Sequence, residues 1–226
     1  MRPATLPSGL HALRPTPVPI VLESRPEIWA EKRGAPLTFS VRWTTADLEA
    51  LPDPLDDTRY EIIDGELYVA KQPSLEHQYA CGELYAALRA WSEQTSFGLA
   101  LFAPGIIFAE DDNVAPDVVW ISRQRLRAAL GADRKLHEPP ELVVEVLSPG
   151  AANERRDRDA KLKLYARRGV DEYWLVDWQR RRVELYRRDG PAFRLGASLT
   201  DADQLQSPLL PGFAHAVDRF FFPEEF

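Results

Sequence analysis

Two carboxylates stand where an apolar strand would be expected to exclude them. Asp117 follows Pro116 at the head of Val118-Val119-Trp120-Ile121, and Glu145 interrupts Leu142-Val143-Val144-Glu145-Val146-Leu147. A carboxylate buried in such a run is costly unless it is paired, protonated or bound to a cation. Strand alternation puts Glu145 on one face with Val143 and Leu147, and Glu141 falls on the same side. If the two strands are neighbours, Asp117 and Glu145 can converge on one hard cation. Mg2+ suits that arrangement, with Mn2+ as a substitute, because it binds one or two carboxylates and keeps waters that a phosphate can replace. The competing reading is an edge-strand glutamate that faces solvent or an arginine.

Lys161 lies in the next helical segment, with Asp157 one turn before it. At that spacing the pair reads either as an ordinary salt bridge on a solvated face or as an ammonium carried towards the metal. In the second case it would orient a water or stabilise charge developing on a phosphate. His77 opens a long helix and could approach the same site as an accessory group, although the sequence better supports a capping or partly exposed histidine. The four histidines have no zinc-site spacing. A phosphate-cradling glycine loop, a serine nucleophile elbow and a zinc-protease pair are all missing from the sequence.

The elements that must position these residues follow from periodicity and punctuation. Thr45 reads as the N-cap of a short helix to Leu51. Tyr60–Ile63 and Glu66–Val69 form a hairpin through Asp64-Gly65, a strong turn signal. Ser74 caps a helix whose apolar stripe runs through Tyr79, Leu84, Leu88 and Trp91 to about Thr95. Strands are expected at Leu99–Phe108, Val118–Ile121, Glu141–Leu147, Glu172–Asp177 and Arg182–Tyr186, with another near Phe193. Helices are expected from Ser122 to Leu130 and from Asn153 to Arg168. Alternating strands and helices predict an α/β layered fold with a mixed sheet. Residues 1–38 carry seven prolines, at 3, 7, 15, 17, 19, 26 and 36, and read as a weakly ordered tail before a domain spanning 39–226.

The 226 residues are 45% hydrophobic and 28% charged, the proportions of a globular protein able to bury its own core. A net charge of -7 argues against tight nonspecific nucleic-acid binding by the whole surface. Basic residues nevertheless gather at Arg155, Arg156, Arg158, Lys161, Lys163, Arg167 and Arg168, as a local basic face or as ordinary solvated helix. The single cysteine, Cys81, excludes an intrachain disulfide and suits a reducing cytoplasm. No signal peptide or membrane-length apolar run is expected.

The order of motifs resembles a known family. Tyr60-Glu61-Ile62-Ile63-Asp64-Gly65-Glu66-Leu67 is followed by His77-Gln78, Ala115-Pro116-Asp117-Val118-Val119 and Leu142-Val143-Val144-Glu145-Val146-Leu147-Ser148-Pro149. Then come Asp157, Lys161, Leu164-Tyr165-Ala166, Gly169-Val170 and Glu172-Tyr173-Trp174-Leu175-Val176-Asp177, with a closing Ser207-Pro208-Leu209-Leu210-Pro211-Gly212-Phe213. This series resembles the Uma-two family of bacterial restriction endonucleases, in the PD-(D/E)XK nuclease superfamily, over roughly residues 43–220. The resemblance implies a restriction-endonuclease-like central sheet flanked by helices and a magnesium-dependent endodeoxyribonuclease. It implies that Asp117 and Glu145 are the acidic metal ligands. The position two after Glu145, usually lysine in the superfamily, is Leu147, and the resemblance implies that Lys161 from the following helix replaces it. On this reading DNA is the substrate, Arg155, Arg156 and Arg158 contact its backbone, and a homodimer would suit cutting two strands. The alternative is a nonenzymatic member of the fold that binds nucleic acid or protein.

Overall fold

A computed structural model of the chain describes residues 41–51 and 58–223. The expected proline-rich tail, 1–38, lies outside them. In chain order the elements begin with helix α1 (Thr45–Ala50), strands β1 (Arg59–Ile63) and β2 (Glu66–Ala70), and helix α2 (Leu75–Thr95). Strands β3 (Gly98–Phe102), β4 (Ile106–Ala109), β5 (Asp112–Val114) and β6 (Val118–Ser122) follow, then helix α3 (Arg123–Ala129) and strand β7 (Leu142–Val146). Helix α4 (Ala151–Arg155) leads through a π turn (Arg156–Lys161) into α5 (Leu162–Arg168). Strands β8 (Glu172–Asp177), β9 (Arg182–Asp189), β10 (Ala192–Thr200), β11 (Gln204–Gln206) and β12 (Ala214–Ala216) complete the fold.

The main sheet has six strands in the order β10-β9-β8-β7-β6-β3. It is mixed: β7 and β8 are parallel, whereas β3–β6, β6–β7, β8–β9 and β9–β10 are antiparallel. The parallel pair is joined across α4, the π turn and α5, as the strand–helix–strand pattern predicts. A second sheet of four strands, β2-β1-β5-β4, was not anticipated. Its hairpin was: β1 and β2 pair antiparallel around Asp64 and Gly65, both at positive φ, 53° and 74°. That conformation is why Asp-Gly signals a tight hairpin.

Three local expectations need correction. The single strand expected over 99–108 is two strands in different sheets, because Ala103-Pro104-Gly105 breaks it and Ala103 adopts φ 45°. The N-cap of α1 is Thr44, whose hydroxyl forms a capping box with Asp47, and not Thr45. The helix expected over 153–168 is not one regular α-helix but α4, a π turn and α5. The other caps lie where the sequence puts them, at Ser74 and Ser122.

Alternation along the central strands sorts the core onto two faces. Val118, Trp120, Leu142, Val144, Val146, Trp174 and Val176 pack with Ala80, Cys81, Leu84 and Leu88 of α2. Val119, Ile121, Val143, Leu147, Tyr173 and Leu175 pack on the other side with Leu164 and Tyr165 of α5. Burying both faces explains why these strands are apolar nearly throughout. It also makes any charge within them conspicuous.

Candidate functional site

The antiparallel register of β6 and β7 pairs Val118 with Val144 and Val119 with Val143. Continued by one residue, it sets Asp117 opposite Glu145. The two carboxylates therefore meet at the end of the same strand pair, and the Asp117 carboxylate accepts the Val146 N–H at 2.9 Å. Both are buried, Glu145 to 3% exposure and Asp117 to 8%. Neither is an edge-strand group facing solvent.

Lys161 arrives from the face that carries α5, the one Glu145 shares with Val143 and Leu147. Its ammonium lies 2.9 Å from Glu145 Oε1, 3.0 Å from Glu61 Oε2 and 4.0 Å from Asp157 Oδ1. At 2% exposure it is among the largest fully buried side chains, so the solvated salt-bridge reading fails. The π turn is what brings it there. Arg156, Asp157 and Lys161 would span about 140° of an α-helix, whereas a π turn of about 4.4 residues gathers them into roughly 80°. All three are buried, and the Tyr173 hydroxyl donates to the Asp157 carbonyl at 3.0 Å.

Four more side chains complete the site, and the sequence reading assigned a role to none of them. Glu61, on β1 of the second sheet, accepts the Ala115 N–H at 2.9 Å with the oxygen that does not face Lys161. The Tyr165 hydroxyl donates to Glu145 Oε1 at 2.7 Å. Arg59 approaches Asp117 Oδ1 at 3.9 Å from the more exposed side. Cys81 lies with its Sγ 3.5 Å from His77 Nδ1. Glu61 carries the same signal as Glu145, a carboxylate in a run that also holds Ile62 and Ile63, and the burial argument would have found it.

His77 Nε2 lies 3.4 Å from Asp117 Oδ2. Asp157 backs the lysine and is itself gripped by Arg156, whose Nε and Nη2 donate to its two oxygens at 2.7 and 3.2 Å. Arg156 is therefore buried and engaged, which removes it from the expected set of backbone-contacting arginines. Arg158 is half-buried and bonded to Glu184 and Asp177 at 2.6 and 3.2 Å, while Arg155 is exposed.

The charges shape one another. Burial pushes the Glu145 carboxyl up to about 8; the Lys161 charge opposes this, and Asp117, Glu61 and Asp157 add to it. Burial also acts to raise Asp117, but the hydrogen bond and charge of His77, the Lys161 charge and the Val146 N–H hold it below the usual carboxylate range. Burial disfavours the Lys161 ammonium, yet Glu145 and Glu61 outweigh it and keep the group protonated. Two neighbouring carboxyls are thus pushed in opposite directions, Glu145 up and Asp117 down. Environments that push neighbouring carboxylates apart in this way recur at functional sites. Hard oxygen donors at a strand end fit a divalent ion. A second grouping, His77, Cys81 and Asp117, also brings metal-ligating atoms within 4.8 Å of one another.

The sequence matches the Uma2 family model, described as "Putative restriction endonuclease", over residues 45–218. None of the curated proteins matches it. Among solved structures the fold is similar to that of a "putative nuclease belonging to DUF820" from Anabaena variabilis ATCC 29413. The TM-score is 0.63 at 15% identity, over 79% of this chain and 97% of that one. At that identity the likeness concerns the fold, a mixed α/β arrangement with helices flanking the sheet.

Proposed function

The chain belongs to the Uma2 family of "putative restriction endonucleases", and on that premise we propose that it is a magnesium-dependent endonuclease hydrolysing phosphodiester bonds in DNA. The observation that carries this reading is the 2.9 Å approach of Lys161 to Glu145, beside Asp117. A lysine from a separate element thereby reaches the acidic pair, supplying the cation that Leu147 cannot. Asp117 and Glu145 are the residues that would hold the ion, with Mn2+ as a substitute. When bound, such an ion polarises the scissile phosphate and makes a water more acidic.

The chain's own residues do the rest. Lys161 keeps its proton, so it acts as a fixed positive charge that orients the attacking water or meets charge developing on the phosphate. Asp157 and Glu61 hold that ammonium in place, and Arg156 holds Asp157. His77 fixes the Asp117 carboxylate from the α2 side. Arg155, with Arg158 beside it, is left to contact the nucleic-acid backbone. The single cysteine supports a cytoplasmic location, and among the described residues no helix is long and apolar enough to cross a membrane. A homodimer would present two such sites to the two strands.

The test is a cleavage assay on DNA and RNA, linear and circular, with Mg2+ or Mn2+, for the parent and Asp117→Asn. Metal-dependent cutting of circular DNA by the parent alone is expected. Metal binding without cleavage of any substrate would refute the enzymatic reading and favour the nonenzymatic alternative.

A further inference from the structure

We propose that His77, Cys81 and Asp117 form a second metal site, selective for a thiophilic ion such as Zn2+, whose occupation withdraws Asp117 from the magnesium site and switches cleavage off. The metal site rests on these three side chains. Only its inhibitory consequence rests on the nuclease reading above.

His77 and Cys81 are four residues apart on α2 and so stack on one face of the helix. Both are buried, at the end of the helix that meets Asp117. Taking one atom from each residue, the imidazole nitrogen, Sγ and carboxylate oxygen all lie within 4.8 Å of one another. His77 Nε2 lies 3.4 Å from Asp117 Oδ2 and His77 Nδ1 lies 3.5 Å from Cys81 Sγ. Neighbouring ligands on a tetrahedral zinc are roughly 3.3–3.6 Å apart for bonds of about 2.0–2.3 Å, which small side-chain rotations reach from atoms within 4.8 Å of one another. The two contacts use opposite ring nitrogens, so the imidazole turns to present one of them. A fourth position is left for water.

Donor chemistry separates the two sites. Zinc takes histidine, cysteine and carboxylate together, whereas magnesium keeps to oxygen. The soft sulfur donor favours a thiophilic ion and is a poor ligand for hard ones. On zinc binding the S–H bond breaks, the proton leaves to solvent and the metal–sulfur bond forms, with no change of oxidation state. Asp117 is common to both sites, and an oxygen drawn towards Cys81 is lost to the ion shared with Glu145. Occupation is mutually exclusive.

Cys81 is the one cysteine among the 226 residues, so thiolate-to-cobalt charge transfer reports this site alone. The full chain is titrated with Co2+ and then with Zn2+. Expected are a charge-transfer absorption with tetrahedral d–d bands, saturation near an equimolar ratio and collapse on adding Zn2+. The charge-transfer absorption is expected to be missing from Cys81→Ser. With Mn2+ held well below its own dissociation constant, Mn2+-supported cleavage by the parent should fall about tenfold when free Zn2+ exceeds its dissociation constant tenfold, the mass-action ratio for ions that exclude one another. Cys81→Ser should keep its own Mn2+-supported rate when Zn2+ is added. No charge-transfer band in the parent overturns the site. A band with cleavage indifferent to Zn2+ overturns the switch. A band in a protein that cuts nothing with any ion overturns the nuclease reading and leaves the metal site standing.

Discussion

Replacing Lys161 by methionine separates a buried keystone from a surface charge. The substitution keeps the stem's volume and removes the ammonium that lies 2.9 Å from Glu145 and 3.0 Å from Glu61. If the group were half of an exposed pair with Asp157, the loss would be about 0.3–0.5 kcal/mol. Buried as it is, its removal strands acidic side chains away from water, which costs on the order of 3–5 kcal/mol when one partner of a buried pair is deleted. Each stranded carboxylate can limit that cost by taking up a proton, at about 1.4 kcal/mol per pH unit between its titration point and the working pH. Glu145, already pushed up to about 8, does this readily at neutral pH and lowers the penalty. The expected net loss is therefore near the lower figure, roughly 3 kcal/mol, or about 6–12 °C in Tm for a domain of this size.

Urea denaturation of the metal-free parent, Lys161→Met, Glu61→Gln and the double variant measures this directly. The double variant should recover more than about 1 kcal/mol relative to Lys161→Met alone, because it removes a stranded charge. Arg155→Met, at an exposed position in the neighbouring helix, is the control and should be near neutral. A Lys161→Met protein within about 0.5 kcal/mol of the parent, with no coupling to Glu61, would refute the reasoning. Cleavage by the folded fraction should be lost in Lys161→Met at any temperature where it remains folded.

Asp117→Asn and Glu145→Gln should each abolish Mn2+ binding in calorimetric titration while the chain stays folded, since asparagine can still accept the Val146 N–H and Lys161 keeps Glu61. Unchanged heats in either variant remove that residue from the metal site. Because Glu145 is raised from 4.5 to about 8 on folding, the folded metal-free chain holds a proton that the unfolded chain releases. Its contribution is full below pH 4.5 and is lost as pH rises through about 8, at up to about 1.4 kcal/mol per unit. The parent-minus-Glu145→Gln difference in stability should fall over that window, and a flat difference would contradict the buried, protonated state. We propose, finally, that deleting residues 1–38 leaves a folded domain, on the evidence of their proline spacing. Loss of cooperative unfolding or of solubility on truncation would show the segment to be structural.

Much of the site was legible in the sequence because burial is legible. Asp117 and Glu145 stand out against Val118–Ile121 and Leu142–Leu147, since an apolar run states which positions face away from water and a carboxylate there demands a partner. The Asp-Gly hairpin and the serine caps of α2 and α3 were equally local, each determined by the chemistry of two or three adjacent residues. Lys161 was ambiguous for a physical reason: four residues after Asp157, it suits a solvated α-helical pair as well as a buried one. Only the packing of the π turn against β7, with Glu61 approaching from a second sheet, makes the buried arrangement the one that occurs. No periodicity announces that sheet, because β5 is a three-residue strand and Pro104-Gly105 diverts β4 out of the main sheet. The same holds for Arg156, whose charge suggested a backbone contact until its neighbour Asp157 was found buried beside it. Sequence determines which groups cannot be left alone in the interior. Which partner each one meets is decided by elements distant in the chain, and that is settled only by the tertiary fold.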